Sequence, residues 1–320
     1  MYDSFIRLRN RITGGIYRRI LKPLFFARDP EDVHDRMTAA GVRLGRHAAT
    51  RGLTRALFDY RHPCLEQTIL GMRFVNPIGL SAGFDKNAEL TEILPEVGFG
   101  FAEVGSVTGE PCEGNPKPRL WRLPQSQSIV VWYGLKNDGC EAVAARLAGH
   151  RSAGQTGFSS RTGFPRQTGF RIPIGISVAK TNSPATVETE AGITDYVKAF
   201  GTVQDVADYV TVNISCPNAF GGEPFTDPAK LDLLLAAIDR LASVKPVFLK
   251  LPADLAPAEL DALLDVSTRH RVDGYICSNL TKRRDNPRVI ERDVPAKGGL
   301  SGKPTELLAN ALISHCYQRL

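Results

Sequence analysis

From Leu65 onward, short apolar runs alternate with amphipathic stretches, and this repetition limits the possible fold more than any other feature of the chain. Residues 76–82, 99–107, 172–179, 208–215, 246–252 and 274–280 read as strands, and residues 231–241 and 257–269 are among the helical stretches between them. Strands separated by helices pair in parallel, so the series predicts an α/β architecture, either a (β/α) barrel or an open doubly wound sheet. In both, ligands bind where strands end in loops. No Gly-x-Gly-x-x-Gly follows a strand and no phosphate-loop motif occurs, which excludes the usual nucleotide sites. Polar residues sit instead at several strand ends, as a barrel site requires.

The 320 residues are 42% hydrophobic and 23% charged, enough for a sizeable core. Six scattered cysteines without a Cys-x-x-Cys pair, and six histidines without ligand spacing, predict neither a metal site nor a disulfide framework, and suit a reducing compartment. Charge is distributed unevenly. Residues 1–55 hold 12 Lys/Arg against 5 Asp/Glu, whereas the whole chain carries a net charge of +6, so the body is close to neutral. This assigns an anionic partner to the N-terminal arm alone and argues against a nucleic-acid substrate.

The arm mixes Ile16, Tyr17, Ile20, Leu21, Leu24, Phe25 and Phe26 with Arg18, Arg19 and Lys22. It lacks an apolar run long enough to span a bilayer and reads as an amphipathic element lying on a membrane surface through residues 1–30, with Arg7, Arg9 and Arg11 toward anionic lipid. A helical hairpin packed on the body is the competing reading. Asp29-Pro30-Glu31-Asp32 predicts the start of a further helix. The domain division expected is 1–55 as a membrane-association segment and 56–320 as the barrel.

The densest chemistry lies in residues 208–225, DYVTVNISCPNAFGGEPF, where a strand delivers Asn213, Cys216 and Asn218 to its C-terminal end. Amides both donate to and accept from a planar imide-like ring, and a thiol serves as base or nucleophile. Upstream, Ala82 and Gly83 let a flat ligand approach the backbone, and Lys86 adds positive charge. Ser106, Lys250 and Ser278-Asn279 stand at further strand ends, and Gly298-Gly299-Leu300-Ser301-Gly302 forms a glycine loop before a helix. Residues 154–170 repeat a (Gln/Arg)-Thr-Gly-Phe unit three times, which predicts an excursion outside the core.

The segments NPIGLSAGFDKN, GNPKPRL, NISCPN and GGLSGKP, in this order, resemble the dihydroorotate dehydrogenases, and the basic extension resembles their quinone-linked, membrane-associated class. The resemblance implies an eight-stranded (β/α) TIM barrel with an N-terminal helical extension and FMN at its C-terminal face. It implies oxidation of dihydroorotate to orotate in pyrimidine synthesis, with a quinone as acceptor, on the cytoplasmic side of the cell membrane. By matching positions, Cys216 becomes the catalytic base. Lys86, Asn213, Asn218 and Asn279 bind substrate, and Ala82, Gly83, Lys86, Ser106, Ser177, Asn213, Lys250, Ser278 and Gly302 bind FMN.

The chain departs from the family pattern in places. Cys216 is the base of the soluble class, so the same chemistry with a soluble acceptor is the alternative. Ser177 replaces a common Asn, Leu280 a common Thr, and Val131-Trp132 lack an expected substrate amide, for which Asn137 and Asn182 are candidates. Six strands are legible rather than eight. The expectation that follows is a sheet lacking its last two βα units, with an open edge and weak FMN binding, as in an inactive fragment.

Overall fold

A computed structural model describes residues 2–150 and 169–320. All but the last two residues of the Thr-Gly-Phe repeat fall outside it. Six strands form one parallel sheet ordered as in the chain: β1 (Gly79–Leu80), β2 (Phe101–Val107), β3 (Ile174–Val178), β4 (Tyr209–Asn213), β5 (Val247–Leu251) and β6 (Gly274–Cys277). The chain divides into two compact units, Met1–Val104 with His150–Ile174, and Gly105–Gly149 with Gly175–Leu320.

The first unit opens with helix α1 (Tyr2–Ile16), continued by a π turn at Tyr17–Leu21 and a short helix Lys22–Phe26. Helix α2 (Pro30–Gly45) starts where the sequence predicts. The Asp29 carboxylate accepts the N–H groups of Glu31 (2.8 Å) and Asp32 (3.2 Å), and Pro30 presets φ at the first helical position. Helix α3 (Ala48–Phe58) returns against α1. Arg9 does not point to lipid as grouped above. Its guanidinium donates to the carbonyls of Ala56 (3.1 Å) and Asp59 (2.9 Å), serving the C-terminal end of α3. Phe5, Leu8, Ile12, Ile16, Ile20 and Leu24 recur at helical spacing and are each at least 46% exposed, so the apolar stripe predicted for the arm is present and uncovered.

Strand β1 is shorter than the apolar run suggests. Asn76 draws its start into a turn, accepting the N–H of Ile78 (2.9 Å) and donating to the Gly98 carbonyl (3.0 Å), so only Gly79 and Leu80 pair with β2. Helix α4 (Leu94–Val97) holds Glu96, whose side chain is fully buried. Arg55 grips it through two bonds of 2.7 and 2.9 Å, and Arg171 pairs with the same carboxylate.

In the second unit all five residues of β3 and of β4 are buried. Val210, Thr211, Val212 and Asn213 align with Val247, Phe248, Leu249 and Lys250 of β5, and Gly274–Cys277 align with Phe248–Leu251. Helices α5 (Cys140–Gly149), α6 (Thr189–Val203), α7 (Pro228–Asp239), α8 (Pro257–Ser267) and α9 (Lys303–Arg319) complete the pattern. The inward face of α7 is Leu231, Leu234, Leu235 and Ile238, the spacing of a helix packed on one side. Strand β6 pairs with β5 and, among the described residues, with no strand beyond it.

One element was not anticipated: a hairpin of Leu120–Leu123 and Ser128–Val131, extended by an antiparallel pairing with Gly299–Leu300. Leu123, Val130 and Leu300 form its small core with Trp121, Val289 and Val294. Its strands are too short for their alternation to stand out, and its third strand lies far away in sequence.

Burial alone would raise the Glu96 carboxyl, but the Arg55 hydrogen bond and the charges of Arg171 and Arg55 outweigh it and hold Glu96 below its ordinary value. A depressed carboxyl stabilises the fold above its unfolded value and loses that contribution as pH falls through the folded one. Glu96→Gln should therefore destabilise the protein by about 2 kcal/mol at pH 7. The difference from wild type should shrink as the pH falls below the ordinary carboxylate range, measured by urea unfolding at several pH values.

Candidate functional site

The second unit gathers five strand ends. Ser106 and Ser177 are next to last in β2 and β3, Asn213 ends β4, Lys250 is next to last in β5, and Ser278 follows β6. A continuous polar chain joins the ends of β2, β3 and β4 to Asn279, just past β6. The Ser106 and Ser177 hydroxyls bond each other at 2.7 Å, and Asn213 Nδ2 donates to Ser106 Oγ at 2.9 Å. Asn213 Oδ1 accepts from the Ser215 hydroxyl (2.6 Å) and N–H (3.1 Å), and Asn279 Nδ2 donates to Ser215 Oγ at 3.0 Å. Asn279 Oδ1 in turn accepts the Leu280 N–H at 2.9 Å. Ser106, Ser177, Asn213 and Asn279, singled out in the sequence, thus form one network, while Ser215, which links them, was passed over. A serine between two highlighted residues carries no signal of its own.

Cys216 stands at the turn out of β4. Burial pushes its thiol up to about 11, against the downward pull of the Asn218 backbone N–H and of Lys180. Asn218 Nδ2 donates to the Val131 carbonyl at 2.9 Å, tying the Cys216 loop to the hairpin. Asn115 reinforces the tie by donating to the Trp132 carbonyl (3.2 Å) and the Asn218 carbonyl (3.1 Å). The amides considered as replacements around Val131 are committed elsewhere. Asn137 is buried and bonds Thr108, Leu135 and Gly139, and Asn182 bonds Asn115, Gly134 and Phe220.

Lys250 lies beside Asn213 in the ladder and is 7% exposed. Its ammonium makes no hydrogen bond or ion pair among the described residues, and a buried cation in that state is costly unless a ligand meets it. Gly302 also meets a steric demand of the fold. At φ +72° a Cβ there would stand 2.2 Å from the Gln127 carbonyl, so the glycine serves the hairpin contact. Gly83, at φ +111°, faces open space, and Ala82 and Lys86 are half-buried in the same loop of the first unit. The Asp85 carboxylate accepts the N–H groups of Glu89 (2.8 Å) and Leu90 (2.9 Å), which shapes that loop.

Amides, hydroxyls and a lysine without a partner among the described residues, at the C-terminal ends of parallel strands, suit a barrel-type site for a polar, planar ligand. The comparisons make this specific. Residues 64–320 match the family model of dihydroorotate dehydrogenase, and the chain belongs to that family. The dihydroorotate dehydrogenase (quinone) of Gloeobacter violaceus is 36% identical over 302 residues, 94% of this chain and 78% of its own length. That of Sphingopyxis alaskensis is 37% identical over 301 residues, 93% of this chain and 76% of its own. The ligand-free DHODH structure from Eimeria tenella superposes with a TM-score of 0.75 at 27% identity, covering 91% of this chain and 80% of that one.

The family is flavin-dependent, and the site fits such a group. Ser106, Ser177 and Asn213 offer donors and acceptors, and Lys250 offers an unmatched positive charge to a ring that gains negative charge on reduction. Because Lys250 has no partner to lose among the described residues, Lys250→Met should leave the melting temperature of the flavin-free protein unchanged or raise it. The same substitution should weaken flavin binding about ten-fold or more, read by fluorescence titration.

Proposed function

We propose that the chain oxidises dihydroorotate to orotate with FMN as its flavin, and that it passes the electrons to a quinone while lying on the cytoplasmic face of a membrane. The observation behind this reading is a half-buried Cys216 on a loop braced by Asn115, Asn182 and Asn218, next to the Ser177–Ser106–Asn213–Ser215–Asn279 network, in a chain of this family. FMN, when bound, supplies the acceptor for the hydride leaving C6 of the substrate.

The remaining chemistry falls to side chains. Cys216 takes the proton from C5. Asn213, Asn218 and Asn279, with Lys86, orient the pyrimidine and its carboxylate. Ala82, Gly83, Lys86, Ser106, Ser177, Asn213, Lys250, Ser278 and Gly302 hold the cofactor. Residues 1–55 form the membrane segment and 56–320 the catalytic body. No helix among the described residues is long and apolar enough to cross a membrane. The exposed stripe from Phe5 to Leu24, with Arg18, Arg19 and Lys22 close by, suits a surface-bound helix instead.

An anaerobic visible spectrum of the purified chain tests this directly. A flavin band that bleaches on adding dihydroorotate supports the reading; absence of the band even after adding FMN sinks it. The thiolate is the active form of a thiol raised to about 11, so flavin reduction should accelerate as pH rises from neutral toward the alkaline range. Cys216→Ala should slow that reduction by about 10²- to 10⁴-fold without lowering flavin content.

Membrane contact is checked separately by flotation with phosphatidylglycerol vesicles. Leu8→Glu combined with Ile12→Glu should reduce the bound fraction at least about ten-fold, since each side chain loses roughly 1.5–3 kcal/mol of burial.

A further inference from the structure

Lys180 lies two residues past β3 and is 4% exposed, yet no carboxylate comes within ion-pair distance of it among the described residues. Its Nζ donates to the Phe220 carbonyl at 2.7 Å, with the Thr186 hydroxyl at 3.5 Å. Asp195, the nearest acidic group in its field, is already engaged by the Thr181 N–H and hydroxyl, both at 2.7 Å. The stem of Lys180 runs past α6 at Gly192, where an added Cβ would stand 3.1 Å from its Cδ. The fold therefore makes room for a buried ammonium and, among the described residues, places no carboxylate in contact with it, which is costly unless an anion arises there.

The lysine shares a small cavity with Cys216, lined further by Leu135, Tyr196, Ile214 and Phe225. Its free space of about 10 Å³ is on the order of a single water. We propose that Lys180 is the positioning residue that lets Cys216 act as a base: its ammonium is the counter-charge of the Cys216 thiolate. This rests on the reading of Cys216 as the base and adds a residue that acts through Cys216. In an apolar cavity, opposite charges are screened weakly and their attraction is correspondingly strong.

The other groups facing the pair have definite signs. Glu223 and Cys112 oppose ionisation of Cys216, and the Asn218 backbone N–H assists it. Asp195 and Cys216 both favour the charged lysine, against its burial. Tyr196, also in the cavity, is held in its neutral form by burial and donates its hydroxyl to the Asn213 carbonyl at 2.7 Å.

The test is the pH dependence of Cys216 alkylation by iodoacetamide, followed by peptide mass spectrometry on the purified full chain, with Cys216→Ser identifying the peptide. Lys180→Met should move the midpoint up by about one to two pH units, a ten- to hundred-fold slower reaction at fixed lower pH. Lys180→Arg should keep most of the wild-type profile. Glu223→Gln should move the midpoint down and gives an independent reading should Lys180→Met fail to fold. Equal shifts in Lys180→Met and Lys180→Arg, or no shift in Lys180→Met and Glu223→Gln, would overturn the pairing. Flavin reduction by dihydroorotate is measured alongside. Its absence in the wild type with the alkylation shifts intact would refute the proposed activity and leave the pairing standing.

Discussion

Asn213 is the residue on which the site hangs. It ends a strand buried at every position and is itself 4% exposed, so each polar atom it carries needs a partner. Its carbonyl accepts from Tyr196, its Nδ2 reaches Ser106, and its Oδ1 holds the turn through Ser215. These bonds fix how the chain leaves β4, and hence where Cys216 and Asn218 stand. A buried amide satisfied on every side specifies one geometry, because any other leaves donors without acceptors. The precision of the loop comes from this accounting of hydrogen bonds rather than from apolar packing.

The same burial governs the chemistry. A half-buried thiol packed beside Ile214, Tyr196 and Phe225 resists ionising, while the buried lysine that shares its cavity resists keeping its proton. Each group is unfavourable alone in its charged form, and each is the natural remedy for the other. An exposed thiol would ionise more readily but would share its surroundings with water, which competes for the proton and screens the asparagines. Cysteine at this position thus makes a demand on its surroundings that a solvated base would not.

Much of the fold was legible because it rests on local patterns. The six strands appear near the expected residues, and α2 begins at the Asp29-Pro30 signal, since capping is a contact between sequence neighbours. Trimming of the strands had local causes that periodicity does not reveal, as where Asn76 forms a turn instead of joining the ladder. The hairpin and its pairing with Gly299–Leu300 depend on partners about 170 residues apart, and short alternating runs do not announce such partners. In the site, strand-end residues could be named from motifs. Ser215 and Asn115 lie within those motifs, yet their roles, like that of Lys180, come from what they touch: Ser215 through Asn213 and Asn279, Asn115 through Trp132 and Asn218, and Lys180 through a shared cavity.

The N-terminal helices obey the opposite economy from the core. Core helices such as α7 turn Leu231, Leu234, Leu235 and Ile238 inward, whereas the arm leaves the large apolar side chains of its stripe in solvent while anchoring polar groups such as Arg9. Arg9 closes the end of α3, and Arg55 of the same helix clamps the fully buried Glu96. Charge-assisted hydrogen bonds, which have directional requirements, thus help fasten the helices to their unit beside buried contacts such as that of Ile6. Among the described residues, nothing covers the apolar stripe. An uncovered stripe of this length lowers solubility and is kept only where something apolar covers it in use. The basic side chains beside it suit the proposed cover, a lipid surface bearing negative charge above an apolar interior.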